Sequence, residues 1–409
     1  MKRFLAALLA ALTVFTLTGC GKTENPAEPV TPGQGEEPAA PTEPELTPEE
    51  IAEQERLAAE KAREERLQGL LDSMTLEEKV GQLFFVRCPE TNAVEDISTY
   101  HLGGYLLFGR DYKDGDSWLT WEQFIQKIES YQDAAAIPLF IGSDEEGGTV
   151  TRASRNPNLF SEPFKSPQKL NDIGGIEEIL RDTDTRSREL RALGINVNFA
   201  PVCDVSTDPK DFIYDRTLGQ DANMTADYVR LVVPAMTEGG TLPVLKHFPG
   251  YGSNADTHTG IALDQRPLEL FWERDLLPFQ AGIQASSNHG MTAVLVSHNI
   301  MAALDPDLPA SLSPAVHKVL RETCGFDGIA ITDDLAMDAV KAYAKDGAVA
   351  VLALQAGNNM VVTTDYRTQI PAVIAAVQEG TLDESVIDDA CLRVLRCKDT
   401  FLRIPENNP

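Results

Sequence analysis

GIAITDDLAM, running from Gly328 to Met337, decides how the rest of the chain is read. An apolar, β-prone run stops abruptly on two aspartates, and a helix-forming stretch follows. Seven other runs repeat the pattern: Val80–Arg87, Gly104–Phe108, Ile137–Gly142, Asn196–Val202, Leu242–Lys246, Thr292–Val296 and Asn359–Thr363. Short strands alternating with longer amphipathic stretches indicate strand-helix units around a parallel sheet. Eight units in one chain predict an α/β fold, a TIM (β/α)8 barrel forming a single catalytic domain. An open doubly wound sheet is the alternative, but no Gly-rich dinucleotide fingerprint succeeds any run.

Polar residues stand immediately after five of these runs: Asp144-Glu145-Glu146-Gly147-Gly148, Cys203-Asp204, His247, Ser297-His298 and Asp333-Asp334. In a barrel these strand ends converge on one face, so residues distant in sequence share a pocket. Asp333 is placed to act as a nucleophile or general base, whereas Asp334, one step nearer the helix, suits an N-cap.

The 409 residues are 43% hydrophobic, enough for a full core, and carry a formal net charge of −28. Such acidity opposes phosphate-backbone binding, so nucleic acid is not an expected partner. Residues 1–20 combine Lys2 and Arg3 with the apolar Phe4–Leu17, shorter than the roughly 20 residues a membrane span needs, and end on Leu17-Thr18-Gly19-Cys20. This reads as an export signal, and its ending resembles a bacterial lipoprotein signal in which Cys20 is lipidated. The expectation is an extracytoplasmic protein held to the bacterial cell membrane through that lipid, with an ordinary secretory signal as the alternative. Residues 21–47, rich in Pro and Glu, read as a disordered tether, residues 48–71 as a charged helix, and residues 72–409 as the barrel. The five remaining cysteines, Cys88, Cys203, Cys324, Cys391 and Cys397, do not form a disulfide framework, and the last two read as packing residues in a helix.

KHFPGYGSNADTHTG, Lys246–Gly260, holds two of the chain's 6 histidines. Asp256 and His258 lie two apart on a loop, and a neighbouring carboxylate can fix an imidazole's tautomer and raise its basicity. Together with SDEEGGTVTR (Ser143–Arg152), NVNFAPVCDV (Asn196–Val205), DRTLG (Asp215–Gly219) and ITDDLAM, this stretch resembles glycoside hydrolase family 3, in its β-N-acetylglucosaminidase branch. The resemblance runs from about Met74 to Leu402.

That resemblance implies a retaining, exo-acting enzyme that cleaves terminal β-linked GlcNAc through a covalent glycosyl-Asp333 intermediate. His258 would be the acid/base, tuned by Asp256. Asp144, Arg152, Arg216, Lys246 and His247 would bind the sugar, with no cofactor and no metal. Arg216 has the alternative of a structural pairing with Asp215 or Asp204, and Glu145 and Glu146 read as scaffold or surface groups. The expected substrate is a GlcNAc-containing glycan or muropeptide from peptidoglycan. Tyr251, Thr257, Thr149 and Thr151 depart from the family pattern and bear on the aglycone. Competing readings are a metal-dependent hydrolase using His247, Asp256, His258, His298 and Asp333, a lipid-anchored sugar-binding protein, a GlcNAc-glycoside phosphorylase, and a β-glucosidase of the same family.

Overall fold

The computed structural model describes residues 47–254, 262–286, 292–341, 343 and 348–405. Two compact units divide the chain, 1–55 and 56–409. Of the first, only residues 47–55 are described, and from residue 48 they form the first turns of helix α1 (Pro48–Ser73). No helix among the described residues is long and apolar enough to cross a membrane.

The second unit is the barrel. Its strands are β1 (Phe84–Arg87), β2 (Gly104–Leu107), β3 (Phe140–Ser143), β4 (Val197–Asn198), β5 (Leu242–Phe248), β6 (Ala293–Val296), β7 (Ile329–Thr332) and β8 (Val361–Thr363). All pair parallel in the order β7-β6-β5-β4-β3-β2-β1-β8. A parallel bridge between Ile331 and Met360 completes the ring. Strand order follows chain order around the ring, as a closed repeat of strand-helix units gives, and the fold is a TIM barrel.

The strands begin later than the apolar runs that announce them. Val80–Gln82 close helix α2 (Leu76–Gln82), which starts in a capping box: Thr75 accepts from the Glu78 amide and the Glu78 side chain accepts from the Thr75 amide. β3 starts at Phe140, after Pro138, and β4 is cut to two residues ahead of the cis Ala200–Pro201 peptide. In the other direction β5 runs on to Phe248.

The interleaved helices include α3 (Glu95–Tyr100), α4 (Trp121–Asp133), α5 (Pro167–Ala192), α6 (Ala222–Glu238), α7 (Leu276–Ala285), α8 (Pro314–Lys318), α9 (Val349–Ala356), α10 (Tyr366–Gln378) and α11 (Glu384–Leu402). Their starts are set by local chemistry: Thr120 caps α4, Ser166 caps α5 and Asp221 caps α6.

Aromatic rings fill the barrel lumen. Phe85 packs against Phe140 at 6.1 Å and Phe199 at 5.3 Å between centroids. Gly142 has to lack a side chain, because a Cβ there would stand 2.7 Å from Phe85 and 2.9 Å from Phe199. The five cysteines from Cys88 onward are buried and unbridged, and burial pushes the thiols of Cys88, Cys324, Cys391 and Cys397 up to about 12. Cys391 and Cys397 pack inside α11, as the sequence predicts.

Beneath the strand starts lies a buried cation. Lys398 on α11 is fully inaccessible and donates to Gln82 Oε1 at 2.7 Å, with its ammonium 5.3 Å from the Phe140 ring. Burial lowers its pKa to about 7. A folded-state value below the unfolded one means the unfolded chain binds more protons between them, so stability rises with pH from about 7 toward 10. Lys398→Met is expected to raise the unfolding free energy by about 2–4 kcal/mol at pH 6. That gain should shrink as pH rises above 7, and thermal unfolding of both proteins across this range checks it.

Candidate active site

The strand ends enclose a cavity of about 270 Å³ lined by Asp144, Arg152, Arg216, Lys246, His247 and Asp333, with Arg87, Phe108 and Tyr251 among its other walls. Six of the sequence-predicted residues therefore meet in one place. Asp256 and His258 lie outside the described residues, as does Cys20.

The centre of the arrangement is Glu146, which the sequence alone presents as scaffold or surface. It is buried, and its carboxylate takes a two-pronged contact from Arg216, Nε to Oε2 at 2.9 Å and Nη2 to Oε1 at 2.7 Å. Lys246 Nζ approaches the same Oε1 at 2.6 Å and also donates to Asp144 Oδ1 at 2.8 Å. Burial pushes the Glu146 carboxyl up, but the charges of Arg216 and Lys246 outweigh it and hold it well below the usual carboxylate range. For Arg216, burial acts to lower the pKa and the adjoining Glu146 charge more than compensates. Arg216 thus pairs with Glu146, not with Asp215 or Asp204, and also reaches His247 Nε2 at 3.0 Å through Nη2.

That last contact fixes a tautomer. A guanidinium only donates, so Nε2 accepts and the ring proton sits on Nδ1, which donates to Asp204 Oδ2 at 2.7 Å. Asp204 is further held by the amides of His247 at 3.1 Å and Tyr251 at 2.6 Å. The Lys246–His247 peptide is cis. Tyr251 is buried, with its ring 5.6 Å from that of His247.

Glu145 faces the other way. Its carboxylate accepts from the amides of Arg152 (2.7 Å), Ala153 and Ser154 (3.4 Å) and from the Ser154 hydroxyl (2.9 Å). Burial raises its pKa, against the pull of these donors. The result pins the loop that carries Arg152, whose guanidinium reaches Asp144 at 3.6 Å. Between the two arms the chain turns through Gly147 and Gly148, both at positive φ, and a Cβ on Gly147 would stand 2.0 Å from the Lys165 carbonyl.

Asp333 succeeds β7 directly, donating its amide to the Val296 carbonyl at 3.1 Å and accepting the Asp334 amide on Oδ1 at 2.9 Å. Asp334 caps no helix: its Oδ1 accepts the Ala336 amide in a tight turn, and the next helical turn starts only at Asp338. His298, a member of the hypothetical metal set, sits beneath this turn. Its Nε2 donates to the Asp334 carbonyl, which can only accept, at 3.1 Å, and its Nδ1 shares a hydrogen bond with the Ser311 hydroxyl at 2.7 Å. The imidazole positions the turn. No group of three or more His, Cys, Asp or Glu side chains among the described residues is arranged to hold a metal ion.

A parallel barrel whose mouth combines a rigid strand-end carboxylate with a second carboxylate and cations able to hold sugar hydroxyls is compatible with a glycoside-cleaving enzyme. The model of the "Glycosyl hydrolase family 3 N terminal domain" matches residues 75–397. The chain is 30% identical to β-hexosaminidase LpqI of Mycobacterium tuberculosis, over 78% of this chain and 82% of the relative. It is 29% identical to a β-hexosaminidase of Nitrosomonas eutropha, over 76% and 86%. The solved M. tuberculosis LpqI structure superimposes with a TM-score of 0.71 at 30% identity, covering 81% of this chain and 96% of that one. A family 3 β-N-acetylglucosaminidase structure from Paenibacillus sp. str. FPU-7 gives 0.71 at 29% identity, covering 80% of this chain and 63% of the neighbour's length. The protein belongs to glycosyl hydrolase family 3 and is a glycoside hydrolase.

Glu146→Ala removes the shared counter-ion of the buried Lys246 and the half-buried Arg216. The unfolding free energy is expected to fall by about 3–5 kcal/mol, read from urea denaturation. Glu145→Ala is expected to destabilise as well, because it leaves the buried amides of Ala153 and Ser154 without their acceptor.

Proposed function

We propose that the protein is a retaining, exo-acting β-N-acetylglucosaminidase that removes terminal β-linked GlcNAc from peptidoglycan fragments. The observation that carries the reading is the shared cavity: the Asp333 carboxylate opens onto the space bounded by Asp144, Lys246, Arg216 and His247. The names of the family relatives support the same activity.

In this reading Asp144 accepts two sugar hydroxyls while Lys246, Arg152, Arg216 and His247 hold the rest. Lys246 is held between two carboxylates, so it meets the sugar already oriented and loses little entropy on binding. An Asp333 oxygen attacks the anomeric carbon as the bond to the leaving oxygen breaks, and the His258 imidazolium passes its proton to that oxygen. The resulting neutral imidazole, oriented by Asp256, then takes a proton from water, whose oxygen displaces Asp333 from the anomeric carbon. Two displacements return the original configuration. A histidine replaces the second carboxylate of the usual pair, and its pKa near neutrality suits both proton transfers.

The N-terminal signal would export the chain, and lipidation of Cys20 would tether the barrel to the membrane, with access to cell-wall fragments. Metabolic labelling with a palmitate analogue, compared between the native chain and Cys20→Ala, tests that step.

Incubation with a slowly turned-over fluorinated GlcNAc glycoside, followed by mass spectrometry of the digested protein, is expected to find one sugar adduct on Asp333. Asp333→Asn should lower kcat by about 10³-fold or more. An adduct on another residue, or full turnover without Asp333, overturns the assignment.

A further inference from the structure

Residues 255–261, which carry Asp256 and His258, are flanked on both sides by one knot of charge built around Arg266. On the approach side, the Gly250 carbonyl accepts from Arg266 Nη2 at 3.3 Å, and Gly252 lies so close to the guanidinium that no Cβ fits there. Asn254, the last described residue before the segment, donates to Asp264 Oδ2 at 2.7 Å. On the return side, both Asp264 oxygens accept from Arg266 Nε at 3.0 Å, and Oδ2 also accepts from Nη2 at 2.6 Å. Nη1 donates to the two oxygens of Asp275 at 3.1 and 3.0 Å, and the Phe271 ring stands 4.3 Å from the guanidinium carbon. One side chain therefore ties the chain before the segment to the chain after it.

The knot is separate from the groups that face the sugar. Asp264, Arg266 and Asp275 do not line the cavity that holds Asp144 and Asp333. The neighbouring backbone has its own supports: the Phe248 carbonyl accepts the Ser297 amide at 2.9 Å, and Leu263–Asp264 pair in parallel with Ile300–Met301. Asp264 and Asp275 are each only 1% exposed, so two carboxylates have been taken out of water at this place. A buried ion network adds little stability over apolar packing of the same volume, and what it does supply is a single geometry.

We propose that Arg266 is a positioning residue for proton transfer: by holding Gly250 and Asp264 to one guanidinium, and through Asp264 also Asn254, it sets where the His258 imidazole meets the leaving oxygen. The inference rests on the reading above in which His258 is the acid/base. Seven residues separate Asn254 from Ala262, and releasing their ends multiplies the conformations open to them. A displacement of about 1 Å at a reacting group costs on the order of 100-fold in rate.

The test compares kcat/KM for two aryl β-GlcNAc glycosides. One carries dinitrophenolate, which departs without a proton, and the other carries methylphenolate, which needs one. His258→Ala sets the scale, with an expected loss of about 100-fold or more on the methylphenyl glycoside and less than about threefold on the dinitrophenyl one. Arg266→Lys keeps the charge but cannot bridge Asp264, Asp275 and Gly250 together, and it is expected to lose about tenfold or more on the first while staying within about threefold on the second. Asn254→Ala, which leaves the ion network intact and cuts one tie, should show the same split at about threefold or more. Equal losses on both glycosides in Arg266→Lys, as general destabilisation gives, or native rates on both, overturn the inference alone. Should Arg266→Lys not fold, Asn254→Ala decides, and the absence of a split there overturns the inference. A His258→Ala enzyme without the split overturns the acid/base reading and this inference with it.

Discussion

One buried carboxylate organises the mouth of this barrel. Glu146 comes from the loop after β3, Lys246 from β5, and Arg216 from the segment between β4 and α6, so three crossover units are tied at one charge. Two cations brought this close in a low-dielectric site repel each other strongly, and only an ionised carboxylate between them makes the arrangement stable. The pairing then propagates. Arg216, held by Glu146, also donates to His247, which fixes the ring proton toward Asp204 and leaves both side chains in one orientation.

Adjacent residues divide the structural work. Glu145 and Glu146 point in opposite directions from one short stretch of chain, one gathering backbone amides of the Arg152 loop and the other gathering side-chain cations. Arg186, from α5, completes the junction by donating to both their carbonyls at 2.9 Å. The loop is therefore fixed from within and from behind, as a site that must hold a sugar in one pose requires. The anchoring continues at the flanks of residues 255–261: Asn254 donates to Asp264 at 2.7 Å, and Arg266 joins Asp264, Asp275 and the Gly250 carbonyl.

The architecture was legible because the barrel strands are apolar runs that mostly stop on polar residues, a signal independent of where each strand begins. Strand starts were not legible. Val80–Gln82 are as buried as Phe84–Val86, and only the Thr75–Glu78 capping box reveals that they end a helix. Among the residues that line the cavity, Asp144, Lys246, His247 and Asp333 were legible because they stand at or near strand ends. Glu146 looked like one of several acidic residues in a turn, since nothing local announces that Arg216, seventy residues later, folds onto it. Asp334 misled for a related reason, its turn consuming the side chain that a helix N-terminus would use.

The sulfur chemistry of the barrel has a practical consequence. Cys88, Cys203, Cys324, Cys391 and Cys397 are enclosed in the interior as protonated thiols, and a thiol in that form is neither a nucleophile nor a ready target for peroxide. The fold therefore needs no oxidant to form: the domain can mature under reducing conditions and, once folded, meet an oxidising medium without its enclosed thiols forming cross-links.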